Sequence, residues 1–169
     1  MRRMVRLRQA KDEDVEFLRI LYASTREEEL AVTGWSDVQK RDFCRMQFDA
    51  QAAHYLEHYP AAEFSIIEYD GNAAGRLYVN RGEREIRIMD LALLPEWRGK
   101  GIGTSLLREL QGEAAALGMP LSIHVEQFNP ALRLYERLGF RPVEDRGVYY
   151  LLSWESEGAF FARLDDSRE

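Results

Sequence analysis

This chain of 169 residues has little cysteine, no long apolar run and fewer cations than anions. Each of these scarcities argues against a class of structure or of partner. Cys44 is its one cysteine, so no disulfide can form within the chain. No run of about 18 apolar residues is present, which argues against a membrane-spanning helix. Cations are outnumbered, because 23 Lys and Arg stand against 29 Asp and Glu, a formal net charge of −6. Nucleic-acid binding needs clustered cations, so we expect neither a nucleic-acid nor a membrane partner.

The composition is that of an ordinary folded protein. Hydrophobic residues make up 46% of the chain and charged residues 31%, which is outside the disordered range. We expect a single domain over residues 1–155 and a polar C-terminal tail over residues 156–169. The basic start from Met1 to Arg8 has no apolar core of a signal peptide, and we therefore expect a cytoplasmic protein.

The first half of the chain predicts a strand, two helices and a meander. Alternation from Met4 to Arg8 predicts the strand, and Asp12 and Ser36 are suited to cap the two helices. Three β-rich runs follow, with Asp70-Gly71 as the turn of the first hairpin. These runs cover residues 64–69, 74–80 and 85–94.

The second half predicts a βαβ unit around a glycine-rich turn. The turn Arg98–Gly103 leads from a strand into a helix that we expect from Thr104 to Leu117. Its glycines let the backbone approach a phosphate, and the N–H groups at a helix start attract anions. A Walker A motif is excluded because Lys100 is followed by glycine, and a dinucleotide fingerprint because Thr104 and Leu106 stand where its third glycine would be.

A second motif follows one βα unit later, and the pair is specific. Residues 129–140 read Asn-Pro-Ala-Leu-Arg-Leu-Tyr-Glu-Arg-Leu-Gly-Phe. Together with the turn Arg98–Gly103, this segment closely resembles the GNAT family of acyl-CoA N-acyltransferases. The resemblance implies an α/β fold with a mixed, mostly antiparallel sheet of six to seven strands, flanked by about four helices.

The resemblance also implies an activity. A GNAT enzyme transfers the acetyl group of acetyl-CoA to a primary amine of a small molecule or protein, by direct attack in a ternary complex. A non-catalytic acyl-CoA sensor or interaction module on the same fold remains the alternative, because a fold does not guarantee chemistry. Homodimers are common in the family, and the last strands with Phe160-Phe161 are candidate contacts.

Family roles transfer to matching positions of this chain. The pantetheine arm would bond to the backbone of Leu91, Ala92 and Leu93, with the Leu91 amide polarising the thioester carbonyl. Asn129 resembles the asparagine that contacts this arm, and Tyr135 the tyrosine that protonates the departing thiolate. The cofactor's pyrophosphate side would be held by Arg98, Gly99, Lys100, Gly101, Ile102, Gly103 and Thr104.

The sequence does not identify which residue is the base that deprotonates the amine. Family members often carry Glu on the strand before the turn, where this chain has Arg87 and Met89, and an arginine cannot accept a proton. Candidate bases are Asp90, His124 and Glu126, with Glu85 nearby and Glu28 or Glu29 on the acceptor side. His124 has the most suitable intrinsic pKa range.

Two further patterns need an interpretation. The run Glu27-Glu28-Glu29 is either a solvated helix end or an acidic lip that attracts a cationic acceptor, with Trp35 beside it in the sequence. The segment from His54 to His58 matches the zinc-peptidase pattern His-x-x-Glu-His. Zinc needs a third ligand that the pattern does not supply, so we expect no metal.

Overall fold

The computed structural model describes residues 4–127 and 129–167, which form seven strands and five α-helices. The strands are β1 (Val5–Gln9), β2 (Glu63–Tyr69), β3 (Asn72–Arg81), β4 (Ile86–Leu93), β5 (Leu121–Glu126), β6 (Arg141–Asp145) and β7 (Tyr149–Trp154). The helices are α1 (Val15–Ala31), α2 (Asp37–His58), α3 (Ile102–Leu117), α4 (Leu132–Arg137) and α5 (Glu157–Asp166). Across the described residues, every helix is too short or too polar to cross a bilayer.

The strands make one mixed sheet in the order β1-β2-β3-β4-β5-β7-β6. The β4–β5 pair is parallel, because α3 connects the two strands by a crossover, while β1–β2, β5–β7 and β6–β7 are antiparallel. This sheet confirms the predicted fold class. The fifth helix is α5, which lies in the segment that the sequence reading treated as a tail.

The chain forms two compact units. One contains residues up to Tyr78 and residues 91–100, and the other contains residues 79–90 and those from 101 onward. In the first unit, a buried cluster joins α1, α2 and β2, and it includes the free thiol of Cys44. In the second unit, α3 contacts β5. The buried face of α3 includes Leu106, Leu107, Leu110 and Ala114.

The predicted turns and caps were right in part. Ser36 caps α2, because its hydroxyl accepts the Gln39 N–H. At Asp70-Gly71 both φ angles are positive, 48° and 83°, as the tight hairpin requires. Asp12 as a helix cap was wrong: it begins a 3₁₀ turn (Asp12–Asp14), and α1 starts at Val15. The turn forms because Asp14 accepts the Lys11 N–H and pairs with Arg8.

Candidate active site

The glycine-rich turn has the backbone conformation that glycine favours. Gly99 and Gly101 have φ angles of +73° and +80°, in the left-handed region, and α3 then begins at Ile102, two residues before the predicted Thr104. The first bond of the helix runs from the Ser105 N–H to the Gly101 carbonyl. The amides of residues 102–104 therefore have no partner within the helix, which is the feature of helix starts that attracts anions.

Space around the turn is open as well. A Cβ atom added at Gly99 or Gly101 would meet nothing within 4 Å, and one at Gly103 would meet only the Leu134 Cδ2 atom, at 3.8 Å. The two left-handed glycines are thus needed for backbone conformation, while the free volume beside them leaves room for a phosphate group. This turn fits the pyrophosphate that the resemblance implies.

The end of β4 is the second predicted cofactor segment. Leu91, Ala92 and Leu93 are half-buried. Beyond them, the Leu94 N–H donates to the Ala74 carbonyl at 2.9 Å, and the Arg98 Nε–H donates to the Leu93 carbonyl at 3.0 Å. Arg98, which the resemblance assigns to the cofactor, therefore also fixes the strand end.

The β4–β5 ladder is short. Its parallel register runs from Ile86 opposite Leu121 to Ile88 opposite Ile123, and both strands continue beyond it, β4 to Leu93 and β5 to Glu126. The predicted pantetheine-binding backbone begins only after this register has ended.

Tyr135 is the candidate general acid and it is deeply buried. The side chain, on α4, is 2% exposed and its ring contacts Phe140 edge-on at 5.7 Å between centroids. Burial raises the pKa of Tyr135 well above its usual value, and the charge of Asp90 raises it further. The phenol therefore keeps its proton throughout the neutral range and has one to give.

Asn129 is oriented by a local bond. Its Oδ1 atom accepts the Ala131 N–H at 2.9 Å, and the Leu132 N–H donates to the Asn129 carbonyl. Asn129 and Pro130 lie in the turn that precedes α4, which begins at Leu132. The bond leaves the NH₂ group of Asn129 as a donor for a ligand.

His124, on β5, faces an arginine of the β6–β7 hairpin. The Arg146 Nη1 atom lies 3.3 Å from the His124 Nε2 atom. A guanidinium only donates, so Nε2 must carry the lone pair and Nδ1 the proton. Burial lowers the pKa of His124, and the positive charges of Arg87 and Arg146 lower it further. At neutral pH this imidazole is uncharged.

A closed ring of hydrogen bonds involves Glu85, Arg87 and Ser122. The Arg87 guanidinium donates to the Glu85 carboxylate at 2.9 Å and to the Ser122 hydroxyl at 3.2 Å, and that hydroxyl donates to Glu85 at 2.9 Å. Ser122 is buried. Each oxygen of Glu85 thus accepts one bond of the ring, which holds this carboxylate against Arg87 and Ser122.

The remaining acidic candidates differ in their surroundings. Within the described residues, the Glu126 carboxylate forms no hydrogen bond or ion pair, and Asp90 is close enough to Tyr135 to affect its titration. The acidic run on α1 is exposed, and Glu29 pairs with Arg26 at 3.0 Å. Tyr135 and Asp90 thus come together, as do His124 and Arg146.

The two histidines of the zinc-like pattern lie on exposed turns of α2. Their rings stack with centroids 4.2 Å apart, and the His58 Nδ1–H donates to the His54 carbonyl at 3.0 Å. Among residues 4–127 and 129–167, no group of three or more His, Cys, Asp or Glu side chains is arranged to hold a metal ion.

Two residues were missed by the sequence reading. Arg146 lies in a hairpin loop, and only the register between β6, β7 and β5 brings it to His124. Gly75 lies in β3 against the backbone of Ala92 and Leu93. The one available signal for Gly75 was a glycine in the interior of a strand, which often marks a close backbone approach.

Comparison with known proteins identifies relatives in two bacteria. A Bacillus subtilis (strain 168) protein, provisionally named as a [ribosomal protein bS18]-alanine N-acetyltransferase, is 34% identical over 100 residues, which cover 57% of this chain and 66% of that protein. The [ribosomal protein bS18]-alanine N-acetyltransferase of Haemophilus influenzae (strain ATCC 51907 / DSM 11121 / KW20 / Rd) is 36% identical over 67 residues, which cover 39% and 46%. The matched part is less than two thirds of either relative.

Solved structures share the fold at low identity. The PaiA N-acetyltransferase of Thermoplasma acidophilum, in complex with coenzyme A, superimposes with a TM-score of 0.69 at 18% identity, covering 90% of this chain and 99% of that one. Arabidopsis thaliana Naa50, in complex with the bisubstrate analogue CoA-Ac-MVNAL, superimposes with a TM-score of 0.56 at 20% identity, with the same coverage. Residues 20–140 match the model of the Acetyltransferase (GNAT) family. The chain therefore belongs to the GNAT family of acetyltransferases.

Proposed function

We propose that this chain is an N-acetyltransferase that moves the acetyl group of acetyl-CoA to the amino terminus of a protein. The observation that carries the proposal is the turn with left-handed glycines at positions 99 and 101, directly before α3, in a chain whose residues 20–140 match the family. The names of the two bacterial relatives support a protein amino terminus as acceptor. They also favour catalysis over a non-catalytic acyl-CoA sensor.

The residues of the turn hold the cofactor. Amides at the start of α3 bond to the pyrophosphate, and the charges of Arg98 and Lys100 add attraction. The backbone of Leu91–Leu93 pairs with the pantetheine arm in the manner of an added strand, and the NH₂ group of Asn129 contacts the same arm. Acetyl-CoA bound here supplies the activated acyl group.

The chemistry needs an oxyanion donor and an acid. The Leu91 amide stabilises the negative charge that develops on the thioester oxygen when the amine attacks. Tyr135 gives its proton to the departing thiolate, because burial keeps the phenol protonated. A thiolate is a tolerable leaving group near neutral pH, so the acid assists rather than decides the reaction.

His124 is the proposed base, directly or through one water molecule. An amine of pKa near 8 to 10 must lose its proton before it attacks, and a base works best when its own pKa lies near the working pH. The His124 imidazole is uncharged at pH 7, with its lone pair on Nε2. Arg146 donates to that lone pair here and also pairs with Glu144 at 3.0 Å, so the acceptor must displace the guanidinium from Nε2. Glu126 is the second candidate.

Acidic residues favour a cationic acceptor. Glu27, Glu28 and Glu29 lie in the last turns of α1, where the helix dipole disfavours negative charge; Arg26 offsets Glu29, and the last turn itself carries no basic residue. Such a placement costs stability and is explained by attraction of an ammonium group or a basic peptide. Trp35, which is half-exposed and stacked edge-on against Phe43, provides an aromatic surface for such a peptide.

The test is a turnover assay with matched peptides. One peptide begins with alanine, the second has the same sequence with a blocked amino terminus, and the third is the blocked peptide with an added lysine. We expect thiol release from acetyl-CoA with the first peptide and not with the second. Release with the third alone would move the acceptor to a lysine side chain. Saturable binding of acetyl-CoA without release on any amine would support the sensor alternative.

Location and assembly belong to the same proposal. A cytoplasmic location is consistent with a chain that carries a single buried cysteine. A homodimer is supported by the exposed apolar side chains on α5, which are Phe160, Phe161 and Leu164. Cell fractionation and sedimentation at micromolar concentration test the two statements, and a monomer would exclude the dimer.

A further inference from the structure

Gly75 occupies a position at which no side chain fits. A Cβ atom added to it would lie 2.1 Å from the Ala92 carbonyl oxygen, 2.9 Å from the Leu93 Cδ2 atom and 3.0 Å from the Leu93 Cα atom. The nearest of these atoms is backbone, which cannot swing aside as the end of a flexible side chain can. Gly75 has no positive φ, so its requirement is space and not conformation.

The close approach shows how β4 is bent. In a regular ladder the carbonyl groups lie near the plane of the sheet, whereas each Cβ atom stands out of that plane. A carbonyl oxygen at 2.1 Å from a Cβ position therefore lies outside the regular ladder, on the Cβ side of Gly75. Because a peptide group is planar and trans, the Leu93 N–H turns to the opposite side.

Neighbouring bonds hold the turned peptide in place. The Leu94 N–H donates to the Ala74 carbonyl at 2.9 Å, directly beside Gly75 in the sequence. The Arg98 Nε–H donates to the Leu93 carbonyl at 3.0 Å. The backbone from Ala92 to Leu94 is thus fixed by contacts on both sides, and Gly75 provides the space that the arrangement needs.

We propose that Gly75 is a positioning residue, whose missing side chain sets the orientation of the Leu91–Leu93 peptide groups towards the acetyl thioester. The inference rests on the proposed acetyl transfer and on the oxyanion role of this backbone. Hydrogen-bond donors stabilise an oxyanion only at about 2.7–3.1 Å, and a misplacement of about 1 Å costs on the order of 100-fold in rate. The coenzyme A body is held mainly by the turn at residues 98–104, whereas the atoms nearest to a Cβ at Gly75 belong to Ala92 and Leu93.

The experiment compares Gly75→Ala with Gly112→Ala. Gly112, in α3, is the matched control, because a Cβ atom there meets nothing within 4 Å and its φ is not positive. For each variant and the wild type, we would measure kcat and KM with acetyl-CoA, and the Kd of coenzyme A by calorimetry. We expect Gly75→Ala to lower kcat at least 30-fold while the Kd changes less than threefold. Gly112→Ala should change neither by more than twofold.

A readout that does not need turnover accompanies the kinetics. Amide chemical shifts of ¹⁵N-labelled protein should change at residues 91–93 in Gly75→Ala and not in Gly112→Ala. If the wild type and the control transfer no acetyl group, the proposed function fails, and these shifts still test the backbone role of Gly75.

Three results would overturn the inference. The first is a folded Gly75→Ala variant with kcat within twofold of wild type. The second is a parallel loss of kcat and coenzyme A affinity, which would indicate general damage. The third is a variant that stays unfolded even with saturating coenzyme A, which stabilises any folded form that binds it. In that case the glycine would serve the fold itself.

Discussion

Two regions of the molecule contribute to the proposed chemistry in different ways, one through its backbone and the other through its side chains. Residues 91–104 act through their backbone, since the amides, the left-handed glycines and the turned Ala92 peptide are what the cofactor would meet. The second region is a polar network of side chains on β4, β5 and the β6–β7 hairpin. It comprises Glu85, Arg87, Ser122, His124 and Arg146.

The difference predicts what kind of substitution each region tolerates. A backbone site is damaged by any side chain that changes φ or fills space, whatever its polarity. A side-chain network is damaged by loss of a donor, an acceptor or a charge, even when the shape is conserved. If variants lose activity in this pattern, the distinction between the two regions is supported. If they do not, one of the regions acts in another way than proposed.

The largest effect is expected for Tyr135→Phe, which removes a proton donor and little volume. We expect kcat to fall by about 100-fold, at the lower end of the range for a general acid, because a thiolate leaves readily. The Kd of coenzyme A should stay within threefold, and thermal unfolding should shift little. Unchanged turnover in the Phe variant would leave Tyr135 as a packing residue against Phe140.

The next effect separates two glycines of the same turn. Gly101→Val must place a β-branched residue at φ +80°, which costs about 1–2 kcal/mol of backbone energy, so coenzyme A should bind about tenfold more weakly. Gly103→Ala is the matched control, because its Cβ atom meets only Leu134 at 3.8 Å and its φ is not positive. Calorimetric titration measures both. Equal losses would contradict the conformational explanation and point to crowding of the bound phosphate.

Local patterns were enough to predict the backbone region. A strand, a proline, a glycine-rich turn and an apolar helix stripe follow each other within residues 85–117, and short-range geometry fixes their order in space. Tyr135 and Asn129 became candidates because they lie in a second continuous motif. The predicted start of α3 was two residues late, since the left-handed Gly101 allows the helix to begin at Ile102.

The side-chain network could not be predicted in the same way. His124 meets Arg146 because β7 pairs with β5 and a hairpin turn follows, and a one-residue slip would put Arg146 elsewhere. The contact of Gly75 with Ala92 likewise depends on how two strands approach. The register between two strands is determined by the packing of the whole sheet. Contacts that depend on this register therefore cannot be predicted from a local sequence pattern.

The smallest expected effect is a shift of the pH dependence in Arg146→Ala. A base must be uncharged to act, so kcat/KM should fall as pH drops through the pKa of His124, which burial and the charges of Arg87 and Arg146 hold below 6.5. Removing Arg146 removes one of these causes, so the pKa rises and the acid limb of the profile moves to higher pH. At pH 8 the rate should change less than about twofold, because His124 is uncharged there in both proteins.

The matched control for this shift is Arg141→Ala, which removes another exposed arginine of the same hairpin without touching His124. Its acid limb should coincide with that of the wild type. The same titration affects folding, since a lowered histidine pKa means that the unfolded chain binds more protons, and stability should fall as pH drops below about 6.5. If the acid limb of kcat/KM survives unchanged in His124→Gln, the titrating base is another group. Glu126, whose carboxylate forms no hydrogen bond or ion pair within the described residues, would then be the residue to replace.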